Sequence, residues 1–107
     1  MSENRTEKII EVIRKAAADF VQLESNGTSL ITITEVRLSK DKKYANILFT
    51  VFPEDKEETV LDFLRRMRSG FREYIKEKTR LGIIPNFDFQ IDLGEKHRQK
   101  LDKIPLN

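Results

Sequence analysis

Seven cations dominate the chemistry open to this chain. Arg65, Arg68, Arg72 and Lys76 recur at steps of three, four and four, so on one helix they form a single stripe, while Lys40, Lys42 and Lys43 crowd one short polar stretch. Such spacings can track the oxygen atoms of successive phosphates. The stripe reads equally as a solvated face knitted by Asp62–Arg66 and Glu73–Lys76 pairs, and the lysines as a solubilising turn. Spacing alone leaves these alternatives open. A third basic group, Lys96, His97, Arg98, Lys100 and Lys103, has no pattern that fixes its geometry.

Covalent and metal chemistry are poorly provided for. The chain has no cysteine, which removes thiolate ligands, disulfides and a cysteine nucleophile together, and His97 is its one histidine. Asp41, Asp88 and Asp92 could be imagined as an acid/base or Mg²⁺ set, but Asp88 and Asp92 fall on the polar side of a segment whose other side carries Phe87 and Phe89. No phosphate loop or nucleophile constellation occurs. A binding protein is expected, with no enzyme activity, metal, cofactor or small-molecule substrate.

Composition bounds the architecture. A chain of 107 residues with 38% apolar and 36% charged residues can close one core under a heavily charged exterior. The expectation is one domain over 1–107, with 94–107 as a short charged tail making at most one or two helical turns. The N-terminus resembles no signal peptide and no apolar run could span a bilayer, so a cytoplasmic protein with no membrane association is expected. The formal net charge of +2 says little, but its distribution is uneven. Acids cluster from Glu54 to Asp62, and bases from Arg65 to Arg80.

The elements that must position these charges follow from periodicity. Ile9, Ile13, Ala16, Ala17 and Phe20 recur at helical steps, predicting an amphipathic helix over about Thr6 to Leu23 that Asn26-Gly27 ends. Leu30 to Leu38 is β-branched and alternating, yet Ile31 and Ile33 differ in parity from Val36 and Leu38, which predicts a bulge near Thr34-Glu35. Tyr44 to Phe52 alternates as a second strand, antiparallel to the first, and Pro53 stops it. Asp55 and Glu58 have capping-box spacing before the stripe Val60, Leu61, Leu64, Met67, Phe71 and Ile75. Ser69-Gly70 interrupts that stripe and predicts a kink there. Gly82 and Pro85 close the second helix, and Phe87, Phe89 and Ile91 alternate as a third strand. Phe71, Phe87 and Phe89 are assigned to packing; Tyr44, Phe52 and Phe63 are expected in the core or at its edge, base stacking being the alternative. The fold class is α+β: a two-layer sandwich, α-β-β-α-(kink)-α-β, with helices on one face of a three-stranded sheet.

This order resembles the type II K-homology topology, and the local sequences resemble the ribosome-binding factor A family. Leu38-Ser39-Lys40-Asp41-Lys42-Lys43-Tyr44-Ala45 is similar to that family's Ser-x-Asp-x-x-x-Ala turn. Leu64 to Arg72, then Ile84-Pro85-Asn86-Phe87-Asp88-Phe89 with Asp92, resemble its leucine, arginine, proline, phenylalanine and aspartate series. The usual Ala-x-Gly of the kink is replaced in register by Met67-Arg68-Ser69, with Gly70 one place late, and Glu24-Ser25-Asn26-Gly27 stands where an Asp-Pro pair often follows the first helix. No Gly-x-x-Gly clamp is present.

The resemblance implies a monomeric assembly factor that binds the immature small ribosomal subunit and assists maturation of its ribosomal RNA, without reaction chemistry. Arg65, Arg68, Arg72 and Lys76, with Lys40, Lys42 and Lys43, are the RNA-binding candidates. A protein-interaction adaptor working through Glu54 to Asp62, or a general single-strand RNA-binding module, are the alternatives.

Overall fold

The computed structural model of the chain describes residues 2–24 and 27–102. It contains α1 (Ser2–Glu24), β1 (Leu30–Leu38), β2 (Tyr44–Phe52), a 3-10 turn (Glu54–Lys56), α2 (Glu57–Arg66), α3 (Arg68–Lys78), β3 (Asn86–Ile91) and α4 (Leu93–Asp102). β2 is the central strand, antiparallel to β1 and parallel to β3. The α2–α3 pair is the crossover that a parallel neighbour requires.

The parity slip in β1 resolves as expected. Ile33 pairs with Phe49 and Glu35 with Leu48, so Thr34 is the extra residue of a bulge. The bulge returns Val36 and Leu38, opposite Ile47 and Ala45, to the face that carries Ile31 and Ile33. That face packs under the helices. Ile13, Ala17 and Phe20 of α1 meet Ile47, Phe49 and Phe89 of the sheet, with Leu64 of α2 and Phe71 and Ile75 of α3 closing the core. Phe71 is its hub, with ring centroids 5.2 Å from Phe20, 4.8 Å from Phe87 and 6.0 Å from Phe89. Tilted aromatic contacts of this kind add about 0.5–1.5 kcal/mol each beyond burial.

Several expectations need correcting. The first helix starts at Ser2, ahead of its apolar stripe, and Gly27 beyond it has a φ of +81°. Asn26 of that expected stop lies outside the described residues. The predicted capping box does not form: a 3-10 turn takes up Asp55, and α2 begins with Lys56 at its N-cap and no side-chain cap. Tyr44 and Phe52 are exposed at the two ends of β2, and of the three only Phe63 packs against the core. α4 covers ten residues, nearly three turns, where one or two were expected.

The kink is also displaced. Helix geometry fails at Met67 (φ −92°, ψ +10°), two residues before Ser69, and both Ser69 and Gly70 lie inside α3. Met67 N–H is shared between the carbonyls of Phe63 (3.1 Å) and Leu64 (3.0 Å), and its own carbonyl accepts Phe71 N–H at 2.8 Å. The helix thus ends and restarts around one residue. Gly70 contributes space. A Cβ there would stand 3.3 Å from Met67 Cε and at an ordinary 4.0 Å from Phe20 Cζ, so the space left by the missing side chain is used by the Met67 thioether.

Candidate nucleic-acid interface

The hairpin turn explains why its residue types stand where they do. Ser39 Oγ donates to Asp41 Oδ1 (2.7 Å), which also accepts Lys43 N–H (3.0 Å), while Tyr44 N–H donates to Ser39 Oγ (3.1 Å). These bonds, Ser39 and Lys43 foremost, hold the Asp41 carboxyl below its ordinary pKa. Lys42 sits at a φ of +61°, a left-handed conformation that this network holds in place. Lys40 and Lys43 project from the turn, exposed, and Lys42 is half-buried; among the described residues none of the three has an ion-pair partner.

The helical stripe is assembled differently. Arg65 Nε and Arg68 Nη1 both face Asp88 Oδ1 on β3, at 3.3 and 3.4 Å, and Arg68 Nε donates to the Arg65 carbonyl at 3.0 Å. One carboxylate therefore serves two arginines from opposite sides of the helix break, and all three side chains stay substantially exposed. Arg72 turns inward and donates to the carbonyls of Ile84 (3.1 Å) and Pro85 (2.9 Å), pinning the loop that leads into β3. Lys76 lies 3.7 Å from Glu73, the pair that a solvated face would contain, whereas among the ion pairs of the described residues none joins Asp62 and Arg66.

Tertiary structure joins the two basic groups. Asn86 N–H donates to the Lys43 carbonyl at 2.8 Å, which places the start of β3 beside the hairpin turn. Asn86 also lines a cleft of about 350 Å³ with Arg68, Ser69, Arg72 and Phe87. Turn and stripe meet at one end of the sheet, with Asn86 between them. Neither Asn86 nor Asp88 stood out as part of this site in sequence, because nothing in their spacing connects β3 to residues twenty positions earlier.

The three aspartates are separately employed. Asp41 organises the turn and Asp88 faces the arginines. Asp92 caps α4: its Oδ1 accepts Glu95 N–H at 3.0 Å, and its Oδ2 accepts the hydroxyl of Thr34 at 2.5 Å. Thr34 is the bulged residue of β1, so this bond crosses the central strand and ties α4 to the far edge of the sheet. Burial pushes the Asp92 carboxyl up, but the Thr34 and Glu95 hydrogen bonds and the Arg98 and Arg37 charges outweigh it and hold the group below its ordinary value. The C-terminal bases are also engaged. Lys96 Nζ lies 2.7 Å from Glu54 and 3.0 Å from Glu57, Lys100 reaches Glu54 at 3.3 Å, and Arg98 pairs with Glu95. Part of the acidic stretch is thereby used to dock α4, and Lys103 lies outside the described residues. Among the described residues no cluster of His, Cys, Asp and Glu could hold a metal ion, and no helix is long and apolar enough to cross a membrane.

The fold is a two-layer α+β sandwich, and one end of its sheet gathers exposed cations. The chain belongs to the ribosome-binding factor A family, whose profile its residues 5–105 match. It is 26% identical to the ribosome-binding factor A of Caldicellulosiruptor bescii over 97% of this chain and 83% of that one. With that of Buchnera aphidicola the identity is 30%, over 83% and 80% of the two chains. The crystal structure of ribosome-binding factor A from Thermus thermophilus shares the fold, with a TM-score of 0.71 at 24% identity over 79% of this chain and 92% of that one. Thermus thermophilus coordinates fitted into a cryo-electron-microscopy map of a complex of that factor with the 30S subunit superpose with a TM-score of 0.65 at 26% identity, over 74% and 86% of the chains.

Proposed function

We propose that this protein binds the immature small ribosomal subunit in the cytoplasm, as a monomer, and assists maturation of its ribosomal RNA by docking on it. The family supports a ribosome-binding role, and a related factor has been fitted on the 30S subunit. The observation that carries the reading is the meeting of Lys40, Lys42 and Lys43 with Arg65 and Arg68 at one end of the sheet, around Asn86. Five exposed or half-exposed cations on the hairpin turn, α2 and α3 suit a shaped, phosphate-rich surface better than the reading of bases.

Within the stripe the roles divide. Arg65 and Arg68 share one half-exposed carboxylate, with Arg68 Nε held besides by the Arg65 carbonyl, so phosphates can take over from Asp88. Arg72 acts by holding Ile84 and Pro85, and Lys76 contributes at the margin. Asp88 is then an internal stand-in for phosphate, keeping the two arginines extended before RNA arrives.

The test is sedimentation and filter binding with immature small subunits. Arg65→Glu and Arg68→Glu, combined with Lys40→Glu and Lys43→Glu, should weaken binding by at least about a hundredfold and lower the salt slope of log affinity by somewhat under one unit per lost contact. The melting temperature should stay near the parent's, because none of the four touches the core. Undiminished binding at every salt concentration would refute the reading. Equal binding to mature and immature subunits would remove the maturation role.

A further inference from the structure

On the side of α3 away from that interface, α1 and the end of α3 enclose a hollow of about 470 Å³. Its floor is apolar, built from Val12 and Ala16 of α1, Leu81 and the half-buried ring of Tyr74, which leans on Phe20 with centroids 5.4 Å apart. Its rim carries Lys15, Lys78 and Arg80, with one carboxylate, Asp19. All four rim side chains are exposed and, among the described residues, none has an ion-pair partner. In this they are like Lys40, Lys42 and Lys43 of the hairpin turn and unlike Arg14, Arg37, Lys96, Arg98 and Lys100, which are paired within the chain. Three unspent cations around one apolar hollow form an anion-attracting site with a greasy base.

We infer that this hollow holds one unpaired nucleotide of a single-stranded RNA segment, its flanking phosphates on Lys15, Lys78 and Arg80 and its base over the Val12–Ala16–Leu81 floor beside Tyr74. The inference rests on the RNA-docking reading above and adds a second contact on another face. Unpaired bases are recognised by stacking on apolar and aromatic side chains and by hydrogen bonds to their edges. Asp19 decides between occupants. It repels the anionic groups of a peptide and of RNA alike, but a base, unlike an acidic side chain, can donate to it, and guanine offers two adjacent N–H donors to one carboxylate. The volume lies at the small end of ligand sites, enough for one nucleotide and too little for the run of anchors of a helix laid in a groove.

The experiment uses the full chain with a five-nucleotide single-stranded RNA carrying one central guanosine among uridines, an all-uridine control, guanosine monophosphate and an acidic peptide. Nuclear magnetic resonance shifts induced by the guanosine oligonucleotide should centre on Val12, Ala16, Tyr74 and Leu81. Lys15→Glu with Lys78→Glu and Arg80→Glu should weaken that binding at least about tenfold, with unchanged circular dichroism, and Asp19→Asn should erase a preference for guanosine over uridine of about tenfold.

Shifts confined to the Lys43–Arg68 end would overturn the inference. So would tighter binding of the acidic peptide at the hollow, or monophosphate binding as tight as the oligonucleotide's, which would make it a free-nucleotide site. Small-subunit binding by the unaltered protein is measured in parallel. Its absence removes the docking reading, whereas its presence, with oligonucleotide binding indifferent to the triple variant, removes the hollow alone.

Discussion

Gly70→Ala should stabilise this protein, although a glycine next to a helix break would ordinarily be credited with making the break. Gly70 is the third residue of α3 and has no positive φ, so alanine adopts its backbone without strain. The gain is helix propensity and a less disordered unfolded chain, about 1 kcal/mol mid-helix and roughly half that in the first turn. The opposing cost is steric. The new methyl would lie 3.3 Å from Met67 Cε, the far end of a flexible and only half-buried side chain, and at an ordinary 4.0 Å from Phe20 Cζ. Met67 can yield a few tenths of an ångström by rotating its thioether, for a fraction of the gain. The net expectation is about 0.5 kcal/mol, a rise in melting temperature of roughly 2–4 °C for a domain of this size. Calorimetry and urea titration both read it. A loss exceeding about 0.5 kcal/mol would show that Met67 is locked and that glycine is required for the α1–α3 approach. A change in small-subunit binding at unchanged stability would place the functional bend at Gly70 after all.

Four further outcomes follow from the structure. Asp92→Ala removes the α4 cap and the Thr34 bond, so it should cost about 1–3 kcal/mol, and circular dichroism should show loss of about one short helix. Because the Asp92 carboxyl lies below its ordinary value, its stabilisation is complete above the unfolded carboxylate range, near about pH 4, and is lost as pH falls through the lower folded value; Asp92→Asn should flatten this acid limb of stability. Arg72→Ala should lower stability by about 1–2 kcal/mol through the freed Ile84 and Pro85 carbonyls, with Arg72→Lys recovering part; a purely RNA-contacting arginine would leave urea midpoints unmoved. Asp88→Asn should leave the fold intact and tighten small-subunit binding at low salt more than Asp62→Asn does, and an equal effect of the two would mean that only net charge matters.

What is local in this protein was legible in the order of its residues. The stripe Ile13, Ala17 and Phe20, the alternation Ala45, Ile47, Phe49 and Val51, and the parity slip at Thr34 each encode which side of an element must be dry, and burial has one periodicity per element. The Ser39–Asp41 turn was legible for the same reason, since its bonds span at most five residues.

What the elements do to one another emerged with the packed fold. The break falls at Met67, while Gly70 continues as helix between the Met67 thioether and Phe20 of α1, a neighbour fifty residues away that no local pattern names. Arg72 turned from the basic stripe to two loop carbonyls, and Asp92 reached across β2 to Thr34. The charged stretch after Asp92 became a full helix because Glu54 and Glu57 neutralise Lys96 and Lys100 from outside it. Two basic clusters became one end of a molecule when β3 paired in parallel with β2 and brought Asn86 to Lys43. Such contacts depend on which chain segments meet after long loops close, and side-chain periodicity carries no record of that.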